Sequence, residues 1–351
     1  MQRFAFGLVP FTLVVITLGA LTRLLDAGLG CPDWPVCYGS WVPAADVSHT
    51  VFSLWDYDQG KAWMEMIHRY AASLLGLFVL IQAALIFKNQ NQKNSQANPK
   101  TTKGLALFLC VWVVIQGLFG MWTVTLRLWP PVVSAHLLGG AITLGIQFLI
   151  WRGLQVKTTQ QSCSVRVKSK LTSRLWFVFA AVVFVQMALG AWTSSQYAGL
   201  ACPDFPTCQG RWWVEIDSGV LNAPMVKADE YLGGVQTMKQ RMAVQWLHRL
   251  GAVAVLLAFI GILIRARAEK TLRDSTIWIT GAFLIIQIAL GILNAVLLLP
   301  LTLALLHNTF AMLLWMSSLY GATNKMITIK HDEGFHGEDE SKDRSFADLV
   351  A

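Results

Sequence analysis

Charge is scarce in this chain. Only 14% of its 351 residues are Asp, Glu, Lys or Arg, where a soluble domain carries about a quarter. That shortage excludes a water-exposed surface over most of the molecule. Acids are the rarer sign, 20 against 28 basic residues. The resulting +8 does not describe a nucleic-acid binder, because the basic residues gather in three short segments between apolar runs, 88–103, 152–174 and 265–273. The motif C-x-x-C-H is absent, which removes covalent c-type haem attachment. No Arg- and Ser-rich presequence stands before the first apolar run, and no small-residue cleavage site follows it. That run is expected to stay as a helix, in a bacterial inner membrane rather than an organelle.

Apolar length is what the chain has in abundance, with 55% of its residues hydrophobic. Eight runs, at about 4–25, 63–87, 104–126, 132–152, 174–194, 242–264, 276–298 and 302–324, match the roughly 20 residues that cross about 30 Å of hydrocarbon. The expected fold class is an all-α membrane protein of eight transmembrane helices, arranged as two tandem four-helix bundles. The basic loops belong in the cytoplasm by the positive-inside rule. The long loops 26–62 and 195–240 then lie on the periplasmic side, and both termini are cytoplasmic. Loops 88–103 and 153–172 read as polar and mobile. The tail 325–351 is acidic without an apolar face and is expected to be disordered.

An internal repeat divides the chain. Residues 19–43 read GALTRLLDAGLGCPDWPVCYGSWVP, and residues 190–214 read GAWTSSQYAGLACPDFPTCQGRWWV; 13 of the 25 positions are identical at an offset of 171. The same offset carries Gln116 to Gln287, Gly120 to Gly291 and His136 to His307. His68–Arg69 reaches His248–Arg249 at offset 180, so the second outer loop is nine residues longer. The expected units are 1–152, a linker at 153–173, and 174–324. Both halves start on the same side, which makes them parallel repeats.

Four of the seven histidines fall in the spans: His68, His136, His248 and His307. Each sits a few residues into an even-numbered helix, at a depth of roughly 6–10 Å below the outer surface. Facing imidazoles at equal depth suit a haem iron ligated from both sides. A lone histidine near a helix end is more often a hydrogen-bonded interfacial residue, but recurrence of all four through the repeat argues against that reading. Zinc would need further tetrahedral ligands, and the only acid within the spans beside these histidines is Glu65.

Glu65 lies three residues before His68, on the same helix face, whereas Gln245 holds the matching place before His248. It is the candidate catalytic acid, moving protons or stabilising charge; the bland alternative is a solvated helix-start acid. Arg69 and Arg249 either meet haem propionates with bidentate hydrogen bonds or snorkel to the interface. Cys31 and Cys37 form C-P-D-W-P-V-C, and Cys202 and Cys208 form C-P-D-F-P-T-C. On an oxidising face these pairs make local disulfides, with a redox-active dithiol or a four-cysteine zinc site as alternatives. Cys110 and Cys163 are expected to be unpaired.

The four motifs EMIHRY at 65–70, SAHL at 134–137, QWLHRL at 245–250 and LLHN at 305–308, together with the two CPD loops, resemble the haem A synthase family. The resemblance covers nearly all eight spans. It implies a membrane oxidoreductase that converts a methyl group of haem O to formyl by successive hydroxylation and loss of water, for cytochrome oxidase assembly. It further implies that His68 and His136 hold haem O or haem A, that His248 and His307 hold haem b, and that Glu65, Cys31 and Cys37 match the family's acid and first-loop pair. The implied partners are the bilayer, an unidentified electron donor, and the haem O-forming enzyme or oxidase assembly factors, with room for a homo-oligomer and no place for nucleic acid. Two other classes compete: a dihaem b-type electron carrier, which would not need Glu65, and a transporter, which would place its polar site at the midplane.

Overall fold

The computed structural model describes residues 1–45, 57–88, 99–155, 164–167, 169–216, 228–229, 231–324 and 326–329. Its helices are α1 (Gln2–Leu24), α2 (Gln59–Lys88), α3 (Pro99–Thr125), α4 (Pro130–Gly153), α5 (Lys170–Ser195), α6 (Met238–Ala268), α7 (Ser275–Val296) and α8 (Leu301–Thr323). All eight are long and apolar enough to cross a membrane, and the protein is a multi-pass membrane protein. Side chains such as Val114, Leu257 and Ile285 lie exposed in mid-helix, where hydrocarbon rather than water is the fitting solvent.

Several helices outrun their apolar cores because polar residues fasten the ends. The hydroxyl of Ser169 accepts from Thr172 N at 3.1 Å before α5. Thr237 and Gln240 form a capping box before α6, and the carboxylate of Asp274 accepts from Thr276 N at 2.9 Å before α7. Each cap satisfies amide donors that the first helical turn leaves open. Pro130 and Pro131 open α4, where a missing N–H costs nothing.

In the first half α1 packs on α2 and α4, and α3 packs on α2 and α4. The second half repeats that square with α5, α6, α7 and α8. Histidine-bearing α2 and α4 therefore stand at opposite corners, as do α6 and α8. The halves join through α1, α4, α5 and α8, with Trp315 Nε1 donating to the Ala141 carbonyl at 3.0 Å.

Three contacts at the join connect positions 171 residues apart. Arg23 Nη2 donates to the Ser194 carbonyl at 2.6 Å, Tyr197 Oη donates to Asp26 Oδ1 at 3.0 Å, and Arg152 Nη1 donates to Thr323 Oγ1 at 3.4 Å. Matching positions of two repeats touch only near the axis that relates them. Backbone conformation repeats as well: φ is positive at Asp26 and Tyr197, at Tyr38 and Gln209, and at the pairs Arg127–Leu128 and Leu298–Leu299.

One expectation is corrected. The segment 325–351 was expected to be disordered from its start, yet Met326–Ile329 forms a strand, β2, antiparallel to β1, Ser164–Val167, in the linker. Ser-Val-Arg-Val and Met-Ile-Thr-Ile are rich in β-branched residues, which favour extended pairing. Residues 331–351, Cys163 and, of the two loops expected to be mobile, residues 89–98, 156–163 and 168 lie outside the described residues. Cys110 is a free thiol.

Candidate functional site

The two histidine pairs come together. His68 and His136 have ring centroids 6.4 Å apart at 82°; His248 and His307 are 6.5 Å apart at 75°. Two metal–imidazole bonds of about 2 Å, with each centroid roughly 1 Å beyond its nitrogen, place centroids on the order of 6 Å apart across one metal. The spacing therefore fits an iron between the rings. Among the described residues no group of three or more His, Cys, Asp and Glu could hold a metal, which removes the tetrahedral zinc alternatives there. A planar macrocycle that fills the equatorial positions itself is the group for which two facing imidazoles suffice.

Glycine brings each ring close to the neighbouring helix. A Cβ on Gly19, Gly120, Gly190 or Gly291 would lie 2.8, 3.2, 3.1 or 3.1 Å from Cε1 of His68, His136, His248 or His307 respectively. These are two repeat-related pairs of positions, and any larger residue would push the ring aside. A cavity of about 670 Å³ lined by Arg127, Trp129, Asp229 and Tyr231 sits at the turn between α3 and α4, not between the rings.

Above each clamp lies a disulfide-closed loop. Cys31–Cys37 and Cys202–Cys208 are bonded, with Cα separations of 4.8 and 4.6 Å. Asp33 accepts from Tyr38 N at 2.7 Å and Gly39 N at 2.8 Å, and Asp204 accepts from Gln209 N at 2.6 Å and Gly210 N at 2.9 Å. With the Thr207 hydroxyl also donating, these bonds hold the Asp204 carboxyl at about 2, ionised under all physiological conditions. Gly39 and Gly210 have φ of +76° and +75°, a conformation that costs glycine nothing. Non-reducing peptide mapping is expected to find each bridge within its own loop. Peptides bridging the two loops, or four free thiols in freshly isolated protein, would contradict this arrangement.

Glu65 is only 4% exposed and its carboxylate is committed. Oε2 accepts from Cys31 N at 2.9 Å, and Oε1 pairs with Arg69 Nη2 at 2.5 Å. Gln245 does the equivalent work in the second half, accepting from Cys202 N at 2.6 Å and donating to the Gly199 carbonyl at 3.0 Å. Both side chains thus tie a cysteine loop to the helix one turn above a histidine. The buried setting excludes the solvated helix-start acid as a description of Glu65.

The arginines are engaged with main chain. Arg69 Nη1 donates to the carbonyls of Asp33, Pro35 and Val36 at 2.8–3.2 Å. Arg249 donates to those of Cys202, Asp204, Pro206 and Thr207 at 2.6–3.5 Å. Each guanidinium is a staple for its CPD loop, which neither the propionate reading nor the snorkelling reading had described.

The sequence reading passed over the glutamines. Gln116 Nε2 lies 3.0 Å from His136 Nδ1, Gln186 Nε2 lies 3.1 Å from His248 Nδ1, and Gln287 Nε2 lies 3.2 Å from His307 Nε2. Gln116 and Gln287 were visible as a repeat pair. Gln186 carried no such signal, since the offset of 171 lands on Val15.

Among the described residues, the fold and site define a membrane protein of eight long apolar helices with a pair of facing imidazoles in each group of four, each pair roofed by a disulfide loop. The chain belongs to the COX15-CtaA family, described as cytochrome oxidase assembly proteins, whose sequence model matches residues 2–319. It is 39% identical over 311 residues to a protein of Shewanella oneidensis named "Heme A synthase", an overlap of 87% of this chain and 90% of that protein. Proteins of the same name from Shouchella clausii and Bacillus cereus are 24% and 26% identical, over 80% and 88% of this chain and 79% and 89% of theirs.

Proposed function

We propose that this protein is a haem A synthase, an oxidoreductase that takes haem O to haem A in cytochrome oxidase biogenesis. Family membership and the 39% identical relative carry the activity. The carrying structural observation is the pair of facing imidazoles 6.4 Å apart in the first half, and its repeat at 6.5 Å in the second.

His68 and His136 hold the substrate haem, and His248 and His307 hold a resident haem b. Bound haem supplies the redox chemistry. The protein's part is to fix the iron, aim the macrocycle and keep water out. Glu65 is the charged group that distinguishes the two pockets, one turn from His68, and is the acid assigned to the first site. The basic loops face the cytoplasm and the cysteine loops the periplasm of a bacterial inner membrane. The electron donor, the haem O-forming enzyme and oxidase assembly factors meet it there, and a homo-oligomer is compatible with its lipid-facing surfaces.

The dihaem carrier reading is separated from this one by product. Expressed in cells that make haem O but lack their own haem A-forming enzyme, this chain is expected to restore haem A, detected by chromatography of extracted haems. Accumulated haem O with no haem A, in cells where the protein reaches the membrane, would contradict the assignment.

A further inference from the structure

Below the clamps, toward the helix ends opposite the cysteine loops, the two squares are filled differently. In the first, all four helices bury polar side chains: Thr12 of α1, Gln82 of α2, Thr102 of α3, and Thr143 and Gln147 of α4, each at most 4% exposed. Among the described residues, Gln82 Nε2, Thr102 Oγ1 and Gln147 Oε1 are enclosed with no hydrogen-bond partner. Main chain meets the rest. Thr12 donates to the Leu8 carbonyl at 2.7 Å, Thr143 to that of Gly139 at 2.8 Å, and Gln147 Nε2 to that of Ala5 in α1 at 3.3 Å. Counted along each helix from its histidine, or from the glycine against a ring, Thr12 and Thr143 lie about 10 Å below the clamp, Gln147 about 16 Å, Gln82 about 21 Å and Thr102 about 27 Å. Thr143 reaches the clamp through Gly139, against which the Gln116 side chain beside His136 rests.

The repeat allows the comparison position by position. Offsets of 171 and 180 carry Thr12 to Val183, Thr143 to Leu314 and Gln82 to Ile262, all three in the apolar core of the second half. Ala5, whose carbonyl Gln147 meets, becomes Trp176. Trp176 is fully buried in the same core and packs so closely on Gly321 that a Cβ there would lie 2.1 Å from its ring. Gln147 becomes Ser318, whose hydroxyl donates to the Trp315 carbonyl at 2.7 Å. The second square does keep one partnerless hydroxyl at this depth, Thr280 of α7, level with Ser318. Val183 and Leu314 lie between these two and the clamp, and Ile262 and Trp176 lie between them and the helix ends. Glutamines meet the rings in both halves, so they do not distinguish the squares.

We propose that Thr12, Gln82, Thr102, Thr143 and Gln147 bind a file of water leading from the inner helix ends to the first clamp, and that the second square admits no such file. A buried amide or hydroxyl without a partner is costly in a protein, and unmet polar groups are costlier still in hydrocarbon. Ordered water, with about three polar partners each, is what such groups take up inside proteins. Amides and hydroxyls both donate and accept, as a file that passes protons requires. The purpose of the file rests on the reaction proposed for the first clamp. That reaction breaks a C–H bond at each hydroxylation and ends in loss of water, so protons and water must cross between site and solvent. A resident haem exchanges neither.

Single cysteines test the path in the full chain, held in lipid nanodiscs with its disulfides intact and Cys110 and Cys163 changed to Ser. The probe is silver ion, close to water in size, and its reaction is read as lost maleimide labelling after unfolding. Thr12→Cys and Thr143→Cys are expected to react at least about 10-fold faster than Val183→Cys and Leu314→Cys, because a thiol walled in by apolar side chains is inert. Adding Gln82→Ile with Gln147→Leu, which gives the first square an apolar floor, should bring Thr143→Cys down to the rate of Leu314→Cys. In the otherwise unmutated chain the same pair should cost haem A formation and leave both low-spin haems in place. If the pair unfolds the protein, as loss of both haem spectra would show, Gln82→Met alone is the milder block and should still slow Thr143→Cys. Equal rates in the two halves, or a Thr143→Cys rate that ignores the block, overturn the proposal. Absence of haem O and haem A from the unmutated protein overturns the reaction assigned to the first clamp instead, and the silver rates still decide the path.

Discussion

Glu65→Gln is expected to cut haem A formation by about 100-fold or more, the range for loss of a general acid–base or electrostatic group, while haem content stays near normal. The second half shows why the substitution is clean. Gln245 accepts from Cys202 N at 2.6 Å, so glutamine at 65 keeps the equivalent bond to Cys31 N. Arg69 loses its carboxylate partner but retains three loop carbonyls, which spares it the cost of a buried, unpaired charge. Only the charge and the capacity to carry a proton disappear. Haem O or a partly oxidised alcohol should accumulate. Full activity in the Gln variant would leave Glu65 as a fastener of the first loop, the same job that Gln245 does.

Changing His248 or His307 to Ala is expected to strip haem b or leave it high-spin, while the first clamp keeps its own haem. The loss should exceed the roughly 100-fold that removal of an outer partner alone can cost. The two clamps are built from separate helix squares, and each half has its own apolar core around Leu109 and Ile150 or Trp176 and Phe259, so the damage should stay local. His68→Ala and His136→Ala should do the reverse, abolishing haem A production with haem b retained.

Much of this was legible in the chain. Apolar length found all eight spans, because a bilayer imposes a length that no other environment requires. The offset of 171 pointed to two halves, and the recurrence of His136 at His307 and of His68 at His248 pointed to the two ring pairs that the structure brings to 6.4 and 6.5 Å. What stayed hidden depends on partners distant in sequence. Cys31 and Glu65 are 34 residues apart, and nothing in either motif says that one holds the other. An arginine beside a candidate haem ligand looks like a propionate partner until the loop carbonyls that occupy it are in place. The β1–β2 ladder joins segments some 160 residues apart, beyond the reach of any local pattern. Gln186 escaped notice because a repeat draws attention to what recurs, and at this position the halves differ.

The central claim is that the two clamps hold different haems, one converted and one kept. The most direct test is to extract and identify the haems that copurify with the unmutated chain and with the His68→Ala/His136→Ala and His248→Ala/His307→Ala double variants. The account predicts haem B together with haem O or A in the unmutated protein, loss of haem O or A alone from the first variant, and loss of haem B alone from the second. Haem B as the sole haem, or the same haem lost from both variants, would contradict it.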